Sequence, residues 1–317
     1  MRALYFEGKN LRLVERSVPL APPGEALIRV GLAGICATDL EVLKGYMTFL
    51  GVPGHEFVGE VVEAPKGGWV GHRVVGAINC SCRVCPLCKG GLANHCPNRT
   101  VLGIQGRDGA FAEYLTLPLE NLFEVPEEIP SEKAVFVEPL ASCFRILEEV
   151  TVASGMTMVV LGDGKLGLLA AQVLGLAGIK PIVVGHHTRK MEILKRRGFD
   201  VRSPGEVKPQ SADLVVDCTG RPEGLTHAFR ILRPCGTLVL KSTFASPEPL
   251  NLTPLVVNEI RLIGSRCGPY TPALLALKDG SIHVESLIDG IYTLENYEIA
   301  FDCARDPETL KILLTLH

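Results

Sequence analysis

The sequence lacks three features that would each indicate a particular partner or location. It has no long hydrophobic run, since stretches such as TMVVLG and LGLLAAQVLGLAG are broken by Gly and Gln and fall short of the ~18–20 residues of a membrane span. It has no excess of basic charge, because the formal net charge is -3, which argues against nucleic acid and membrane surfaces as partners. No basic-then-apolar segment precedes the first polar residues, so we predict no secretory signal and expect a cytoplasmic location.

Size and cysteine content narrow the class of protein further. A chain of 317 residues, 47% of them hydrophobic, is expected to form two domains. Its 11 cysteines are partly clustered, which in a large chain without a signal favours metal binding over a disulfide framework. Most of the six cysteines outside the cluster are expected to be inert and buried; they are Cys36, Cys143, Cys218, Cys235, Cys267 and Cys303.

The cysteine cluster is the stretch NCSCRVCPLCKGGLANHC, from Asn79 to Cys96. Four of its thiols have the spacing C-x2-C-x2-C-x7-C, which suits a tetrahedral Zn²⁺ site. Local disulfides would strain such short loops, and a thioredoxin-like pair would need a single C-x2-C at a helix start. We therefore predict a structural zinc that orders residues 79–97, with Cys80 as a spare that could replace the first ligand. The predicted ligands are Cys82, Cys85, Cys88 and Cys96.

The sequence pattern changes near Met156. Before it, short segments rich in Val, Ile and aromatics, such as RALYF, EALIRVGLAGIC and FVGEVVEA, indicate a compact, mainly-β domain. After it, strands such as MTMVVLG and ADLVVDCTG alternate with helical patterns, which predicts βαβ units and a doubly wound parallel sheet. The fold class is therefore α/β. Beyond Cys267, TPALLALKDG and DPETLKILLTL favour helices and LIDGIYTL favours a strand.

A dinucleotide fingerprint follows the first strand of this second region. LGDGKLG places Gly162, Gly164 and Gly167 as G-x-G-x-x-G between a strand and a helix. The first glycine permits the tight turn, the second lets a pyrophosphate approach the backbone, and the third lets the helix pack on the sheet. The helix that begins at Lys165 and Leu166 supplies amide donors and the positive end of its dipole.

The next strand, PIVV, ends without the acid that usually binds the adenosine ribose. The chain there has Gly185 and His186, followed closely by Arg189 and Lys190. Absence of a carboxylate removes repulsion toward a 2′-phosphate, and the basic side chains could pair with one. This favours NADP over NAD; the alternative is that Arg189 and Lys190 are only the solvated start of a helix.

In this order, the motifs resemble one family along essentially the whole chain: the zinc-dependent medium-chain alcohol and polyol dehydrogenases. Besides the cysteine loop and the fingerprint, the resemblance rests on GHEFVGEVV, GAFAEY, VEPLA, VDCTG and AFDCARDPETLKILL. It implies a GroES-like, mainly-β catalytic domain over residues 1–142, a Rossmann domain over 143–268, and a return to the catalytic domain over 269–317.

The resemblance also implies a catalytic zinc and the residues around it. Cys36 and His55 would hold the ion with Glu138, as in the branch that includes sorbitol, threonine and glucose dehydrogenases. Glu56 would be a fourth, exchangeable ligand. Asp39 would fix the tautomer of His55, and Thr38 would begin proton removal from the alcohol. Where many relatives have a relay histidine, this chain has Glu41, so the outer proton route is left open.

The implied activity is hydride transfer between a secondary alcohol or polyol and NAD(P), with two zinc ions per chain. The nicotinamide side would be lined by Cys218, Thr219, Gly264, Ser265 and Arg266, although a purely structural role for Arg266 is as plausible. By resemblance the enzyme would be a homodimer or homotetramer. Two alternatives remain: a zinc-free quinone or enoyl reductase on the same scaffold, and a non-catalytic protein that kept the fold.

Overall fold

The computed structural model of the protein describes residues 1–65, 67–243 and 250–317. They form two compact units. Unit 1 comprises Met1–Glu138, Leu274–Lys278 and Leu287–His317, and unit 2 comprises Pro139–Ala273 and Asp279–Ser286. Among the described residues, no helix is both long and apolar enough to span a bilayer.

The strands are numbered in chain order. They are β1 (Arg2–Phe6), β2 (Leu11–Glu15), β3 (Glu25–Ile35), β4 (Glu56–Glu63), β5 (Arg73–Gly76), β6 (Asn79–Cys80), β7 (Thr100–Leu102), β8 (Gly106–Arg107), β9 (Tyr114–Pro118), β10 (Leu122–Glu124), β11 (Met158–Leu161), β12 (Ile182–Val184), β13 (Val201–Arg202), β14 (Ala212–Asp217), β15 (Leu232–Leu240), β16 (Arg261–Gly264), β17 (Ile288–Thr293) and β18 (Lys311–Thr315).

The α-helices are numbered in the same way. They are α1 (Ala37–Leu43), α2 (Pro86–Lys89), α3 (Ser131–Ala134), α4 (Val137–Glu149), α5 (Lys165–Gly175), α6 (Thr188–Lys195), α7 (Pro222–Ile231), α8 (Thr253–Val257), α9 (Tyr270–Lys278) and α10 (Tyr297–Arg305).

Unit 1 is built on a mainly antiparallel sheet. Its strands lie in the order β10-β5-β4-β3-β18-β17, and β9 pairs with β3 beyond this path. The long strand β3 therefore lies between β4 and β18, antiparallel to both. This arrangement confirms the predicted β-rich first region, and it brings the C-terminal strands into the same sheet as the N-terminal ones.

Unit 2 contains a six-stranded parallel sheet in the order β13-β12-β11-β14-β15-β16. The chain moves outward from β11 in one direction and then returns to start again at β14. The four residues of β11 are all buried, as expected where helices cover both faces of a parallel sheet. The predicted doubly wound sheet is confirmed, and its strand order reverses direction between β11 and β14, where such folds bind ligands.

Two sequence-based expectations are wrong. The segment DPETLKILLTL is not a helix, because its second half is strand β18, whose first four residues are buried. An apolar run that is buried on both faces has no alternation, so periodicity cannot separate strand from helix. The scattered cysteines are also less buried than expected: of the six, Cys143 is buried, Cys235 is exposed, and the others are intermediate.

The C-terminal helix α10 is anchored to the N-terminal residues of unit 1 by an aromatic pair. Phe301 and Phe111 are both buried, and their rings meet edge to face with centroids 5.7 Å apart. We predict that Phe301→Ala lowers the free energy of unfolding by about 3–5 kcal/mol, because it leaves a cavity in the core. Urea denaturation measures this; a loss as small as that of an exposed control, Ile299→Ala on the same helix, would contradict it.

Candidate functional site

The cysteine loop of unit 1 gathers four sulfur atoms. Within the group, each pair of sulfurs lies within 4.8 Å. The sulfurs of Cys85 and Cys88 are 3.4 Å apart, those of Cys85 and Cys96 are 3.8 Å apart, and those of Cys82 and Cys96 are 3.4 Å apart. Four sulfurs at about 2.3 Å from a shared Zn²⁺ would be roughly 3.8 Å apart in a tetrahedron. The four residues therefore fit a structural zinc with no open position.

Backbone N–H groups of the loop point at these sulfur atoms, which favours the thiolate form that binds a cation. The N–H of Cys82 points to the sulfur of Cys96 at 3.4 Å, and the N–H of Cys88 points to that of Cys85 at 3.5 Å. The backbone N–H groups of Val84 and Cys85 lower the pKa of Cys82 to about 6. Cys80 lies outside the group, in β6, where burial raises its pKa to about 11.

A second group of potential metal ligands lies where β3 and β4 meet α1. The ligand atoms of Cys36, His55 and Glu56 all lie within 4.8 Å of one another. Cys36 is the residue that precedes α1, and its N–H donates to Oδ2 of Asp39 at 2.7 Å. The other carboxylate oxygen of Asp39 lies 3.1 Å from Nδ1 of His55. The helix start thereby orients both a thiol and an imidazole.

The ring of His55 is held by a buried carboxylate. His55 is 4% exposed and Asp39 is 0% exposed. Burial opposes protonation of the imidazole, but the charge of Asp39 and its hydrogen bond outweigh burial and raise the pKa of His55 well above its usual value. With Nδ1 paired to Asp39, Nε2 is the nitrogen left for a metal, which is the arrangement expected of a histidine ligand.

Glu56 contacts a residue that sequence reasoning missed. Its Oε2 accepts a hydrogen bond from Nζ of Lys311, and both side chains are 0% exposed. The two lie on β4 and β18, on either side of β3, and they meet over Gly34. A Cβ at position 34 would lie 2.7 Å from Oε2 of Glu56 and 3.1 Å from Nζ of Lys311. The glycine therefore provides the space for this contact.

Lys311 is a weaker base than an exposed lysine, but it is still mostly protonated near neutral pH. Burial lowers the pKa of Lys311 to about 8, while the charges of Cys36 and Asp39 oppose that shift. The ammonium also lies 5.5 Å from the ring centroid of Phe136, within range of a cation–π contact. The signal in the sequence was a single Lys inside the apolar run LKILLTL.

The remaining oxygen of Glu56 tests whether this group fits a metal. Oε1 is buried, and no partner for it is found among the described residues. A buried carboxylate oxygen without a hydrogen bond is costly, and this one belongs to a residue grouped with a thiol and an imidazole. Thiolate, imidazole and carboxylate are the donors that catalytic zinc uses. The residues therefore fit a zinc ion.

The other predicted residues of this site lie outside the group of three. Glu138 is the second residue of α4 and is half-buried; it is not in the group that brings Cys36, His55 and Glu56 within 4.8 Å. Thr38 is half-buried on α1, with its Oγ1 3.9 Å from the sulfur of Cys36. Glu41, further along α1, forms an ion pair with Lys44 at 2.7 Å.

In unit 2, the glycine-rich loop joins β11 to α5. Gly162 has a φ of +109°, which a residue with a side chain rarely adopts. A Cβ at Gly167 would lie 2.0 Å from the carbonyl oxygen of Gly162, whereas a Cβ at Gly164 would meet nothing within 4 Å. The space above Gly164 is open at the start of α5, where Lys165 and Leu166 present backbone N–H groups, so a pyrophosphate fits there.

The tip of β12 differs from the sequence expectation in one respect. Gly185 follows the strand, with His186 and Arg189 exposed after it, but Lys190 is 3% exposed. The predicted pairing of Lys190 with a 2′-phosphate is therefore not supported, because its side chain is packed inside unit 2. The position of Lys190 on α6 explains its burial. It precedes the buried Met191 and lies four residues before the buried Leu194, on the same face of the helix.

The other predicted cofactor residues end parallel strands of the same sheet. Cys218 and Thr219 follow β14, Gly264 is the last residue of β16, and Ser265 and Arg266 follow it. Because carboxyl ends of parallel strands share one edge, these residues lie on the edge that carries the glycine-rich loop. Burial raises the pKa of the Cys218 thiol well above its usual value, so it is a neutral group there.

A buried lysine, also missed by sequence reasoning, holds the loop after β16. Lys241 is 7% exposed, and its Nζ donates to the carbonyl of Arg266 at 3.1 Å and lies 3.4 Å from Oγ of Ser265. The same ammonium donates to the carbonyl and hydroxyl of Ser142 at 2.6 and 2.8 Å. It thus ties α4 to the loop that the sequence assigns to the nicotinamide side.

Comparison with family models matches most of the chain. Residues 22–127 match the alcohol dehydrogenase GroES-like domain, and residues 166–278 match the zinc-binding dehydrogenase domain. Among curated proteins, the chain is 30% identical to the sorbitol dehydrogenase of Halalkalibacterium halodurans over 325 residues, covering 95% of this chain and 94% of that protein.

Solved structures give the same result for the fold. A zinc-binding dehydrogenase of Sinorhizobium meliloti, bound to NADP, superposes with a TM-score of 0.90 at 28% identity, covering 99% of this chain and 98% of that one. The alcohol dehydrogenase RspB of Escherichia coli, in complex with NADH, has a TM-score of 0.90 at 27% identity and 99% coverage of both chains.

We predict that Glu56 and Lys311 are strongly coupled in stability. Lys311→Met leaves a buried carboxylate without its cation and should lower the free energy of unfolding by about 3–5 kcal/mol. Glu56→Gln should also destabilise, and the double variant should cost clearly less than the sum of the two single changes. Urea denaturation of the four proteins gives the coupling; additive effects, within about 0.5 kcal/mol, would contradict the contact.

We also predict two zinc ions per chain, held at separate sites. Cys88→Ser should remove one zinc and destabilise unit 1, whereas His55→Ala should remove the other; His55→Ala should also lower the stability, because it leaves the buried Asp39 carboxylate without its imidazole. Elemental analysis after gel filtration, combined with thermal unfolding, measures both. Wild-type protein that binds only one zinc per chain, or a His55→Ala variant that keeps both, would overturn the assignment of the second site.

Proposed function

The chain belongs to the zinc-binding alcohol dehydrogenases with a GroES-like domain, and on that premise we propose that it oxidises a secondary alcohol or polyol with NAD(P), and reduces the corresponding carbonyl. The chain is an oxidoreductase by its family. The proposal concerns the substrate class and the residues that perform the reaction. Curated relatives of similar length are sorbitol, arabinitol, erythritol and threonine dehydrogenases. Polyols and hydroxy amino acids are therefore the first candidate substrates.

The observation that carries the proposal is the group formed by Cys36, His55 and Glu56. It combines a thiol, an oriented imidazole and the carboxylate of Glu56, one oxygen of which is buried without a partner among the described residues. The cysteine loop satisfies a metal with four thiols, whereas this group offers three donors, so a fourth position would be left for substrate or water. We assign the catalytic zinc to this group. Glu138 is the candidate for a further ligand, or for one that exchanges with Glu56.

We assign the chemistry as follows. When bound, zinc would supply a Lewis acid that lowers the pKa of an alcohol oxygen, and the coenzyme would supply the hydride acceptor. Asp39 holds His55 in the tautomer that leaves Nε2 available, and Thr38, half-buried beside Cys36, receives the proton from the substrate hydroxyl and passes it outward. Lys311 pairs with one oxygen of Glu56 and so restrains that carboxylate. Asp39, the adjacent acid, is buried, so Glu41, exposed in part on α1, is the acid of this helix assigned to further transfer to water.

The coenzyme site is assigned to the carboxyl edge of the parallel sheet in unit 2. Gly162, Gly164 and Gly167 would receive the pyrophosphate, with Lys165 and Leu166 contributing backbone N–H groups. Gly185, His186 and Arg189 would surround the adenosine ribose. The loops after β14 and β16, with Cys218, Thr219, Gly264, Ser265 and Arg266, would receive the nicotinamide. The support is the strand order, the open space above Gly164, and relatives bound to NADP and NADH.

The assembly proposed is a homodimer or homotetramer. Its support is an apolar surface on β16 and α8, where Leu262, Val256 and Val257 are 44%, 73% and 70% exposed. Among the described strands, β16 is at one edge of the six-stranded sheet, and an exposed apolar edge strand is a place where chains associate. Light scattering after gel filtration measures the assembly directly.

We predict hydride transfer with straight-chain polyols and secondary alcohols, followed by nicotinamide absorbance with either coenzyme. Cys36→Ser and His55→Ala should each lower kcat/KM at least ~10³-fold, because the groups that carry the metal contribute to the transition state. The dissociation constants of NADH and NADPH should not change. Zinc-loaded protein that binds a coenzyme but transfers no hydride in either direction would contradict the proposal and favour a non-catalytic protein; transfer to enones without the second zinc would favour a zinc-free reductase.

A further inference from the structure

The middle residue of the first glycine pair, Asp163, is a buried acid. It is the residue between Gly162 and Gly164, and its side chain is 8% exposed. In a dinucleotide fold the acid that binds the adenosine ribose belongs to the tip of the second strand, about 20 residues after the glycine-rich loop. In this chain that position is Gly185, which has no side chain. The buried carboxylate at the strand tip comes from the loop instead.

Geometry places Asp163 in the volume that a side chain at position 185 would need. An ideal Cβ built on Gly185 would lie 2.4 Å from Oδ2 and 2.5 Å from Cβ of Asp163. Such distances are far below van der Waals contact, so an acid at 185 and the acid at 163 exclude each other. The loop and the strand tip therefore have space for one carboxylate, and the chain supplies it from the loop.

The carboxylate is fixed in place by the residues that follow β12. Oδ2 accepts hydrogen bonds from the backbone N–H groups of His186 and His187 at 2.6 and 2.7 Å. Nδ1 of His187 lies 3.0 Å from Oδ1 and 3.1 Å from Oδ2. A carboxylate oxygen has two lone-pair sites, so Oδ1 retains the capacity to accept from a ligand hydroxyl.

The charge of this group is negative over the physiological range. Burial opposes ionisation, but the N–H donors of His187 and His186, with the charge of His187, outweigh burial and lower the pKa of Asp163. A fixed negative charge at the ribose end of the site attracts hydroxyl donors and repels a phosphate. Arg189, exposed on the first turn of α6, has the opposite effect on a phosphate.

We infer that Asp163 replaces the missing strand-tip acid and acts as the residue that discriminates between the two coenzymes, accepting from the 2′-hydroxyl of NAD and disfavouring the 2′-phosphate of NADP. The inference rests on the proposed function, since it concerns the same coenzyme site. Selectivity is then the balance of Asp163 against Arg189, and neither residue alone decides it. The absence of an acid at position 185 is thus not by itself a sign of NADP specificity.

The test compares dissociation constants of NADH and NADPH, measured by fluorescence on the zinc-loaded enzyme. Asp163→Asn removes the charge and keeps an oxygen for the two backbone N–H groups. We expect the Kd ratio of NADPH to NADH to fall about tenfold, the scale of one charge pair at ~4 Å in a water-like dielectric. Arg189→Ala should move the ratio in the opposite direction by weakening NADPH alone.

A matched control comes from the opposite edge of the same sheet. Asp213, near the start of β14, also accepts a backbone N–H and pairs with a basic side chain, at 2.7 Å from Thr157 N and 2.6 Å from Arg233 Nε. Asp213→Asn makes the same chemical change away from the carboxyl ends of the strands. It should leave the ratio at the wild-type value even where it lowers stability.

Variants at position 185 test the inference even if Asp163→Asn fails to fold. Gly185→Asp alone should impair binding of both coenzymes, because two acids cannot share the space. The double variant Asp163→Gly with Gly185→Asp removes the Cβ that would clash at 2.5 Å and moves the acid to the strand tip, so it should restore the ratio toward wild type, whereas Asp163→Gly alone should not. A ratio that Asp163→Asn leaves unchanged or raises, or a double variant that behaves like Asp163→Gly, would overturn the inference. A wild-type protein that binds neither coenzyme would overturn the proposed function instead.

Discussion

The buried contact between Glu56 and Lys311 links the two ends of unit 1 to its candidate metal centre. The two residues are 255 positions apart in the chain, and they meet because β3 pairs with β4 on one side and β18 on the other. Gly34 on β3 leaves room for both side chains. One carboxylate oxygen of Glu56 is thereby neutralised by an ammonium, while the other, Oε1, is buried without a partner among the described residues. The metal chemistry of unit 1 depends on this arrangement, since without the ammonium the buried carboxylate would carry an uncompensated charge.

The candidate coenzyme site of unit 2 also has a buried charged group in the space left by a glycine. There the charged group is Asp163, and the glycine that leaves room for it is Gly185. Backbone N–H groups and an imidazole replace the ammonium as the stabilising partners. In each unit a glycine on one segment creates the volume, and a charged side chain from another segment occupies it. Substitution of either glycine would displace a charge as well as crowd the core.

The sequence predicted features whose determinants are close together in the chain. Four cysteines within one short loop necessarily lie near one another, and in the structure their sulfur atoms all lie within 4.8 Å of one another. Alternating strands and helices predicted the parallel sheet, and G-x-G-x-x-G predicted the turn at its edge. The catalytic ligands came from distant segments, so only resemblance to a family suggested them. Even then, the group of three in the structure contains Glu56, while Glu138 lies outside it.

By itself, the sequence determined the cysteine loop, the glycine-rich turn, the order of strands and helices, and the family. Tertiary structure alone decided that KILLT is an interior strand, that Lys311 meets Glu56, that Lys190 is buried, and that Asp163 occupies the space beside Gly185. The reason is physical. Local spacing restricts which atoms can meet within a loop or a helix turn, whereas the partner of a buried charge depends on which strands pair and in which register, and hydrophobic periodicity contains no information on either.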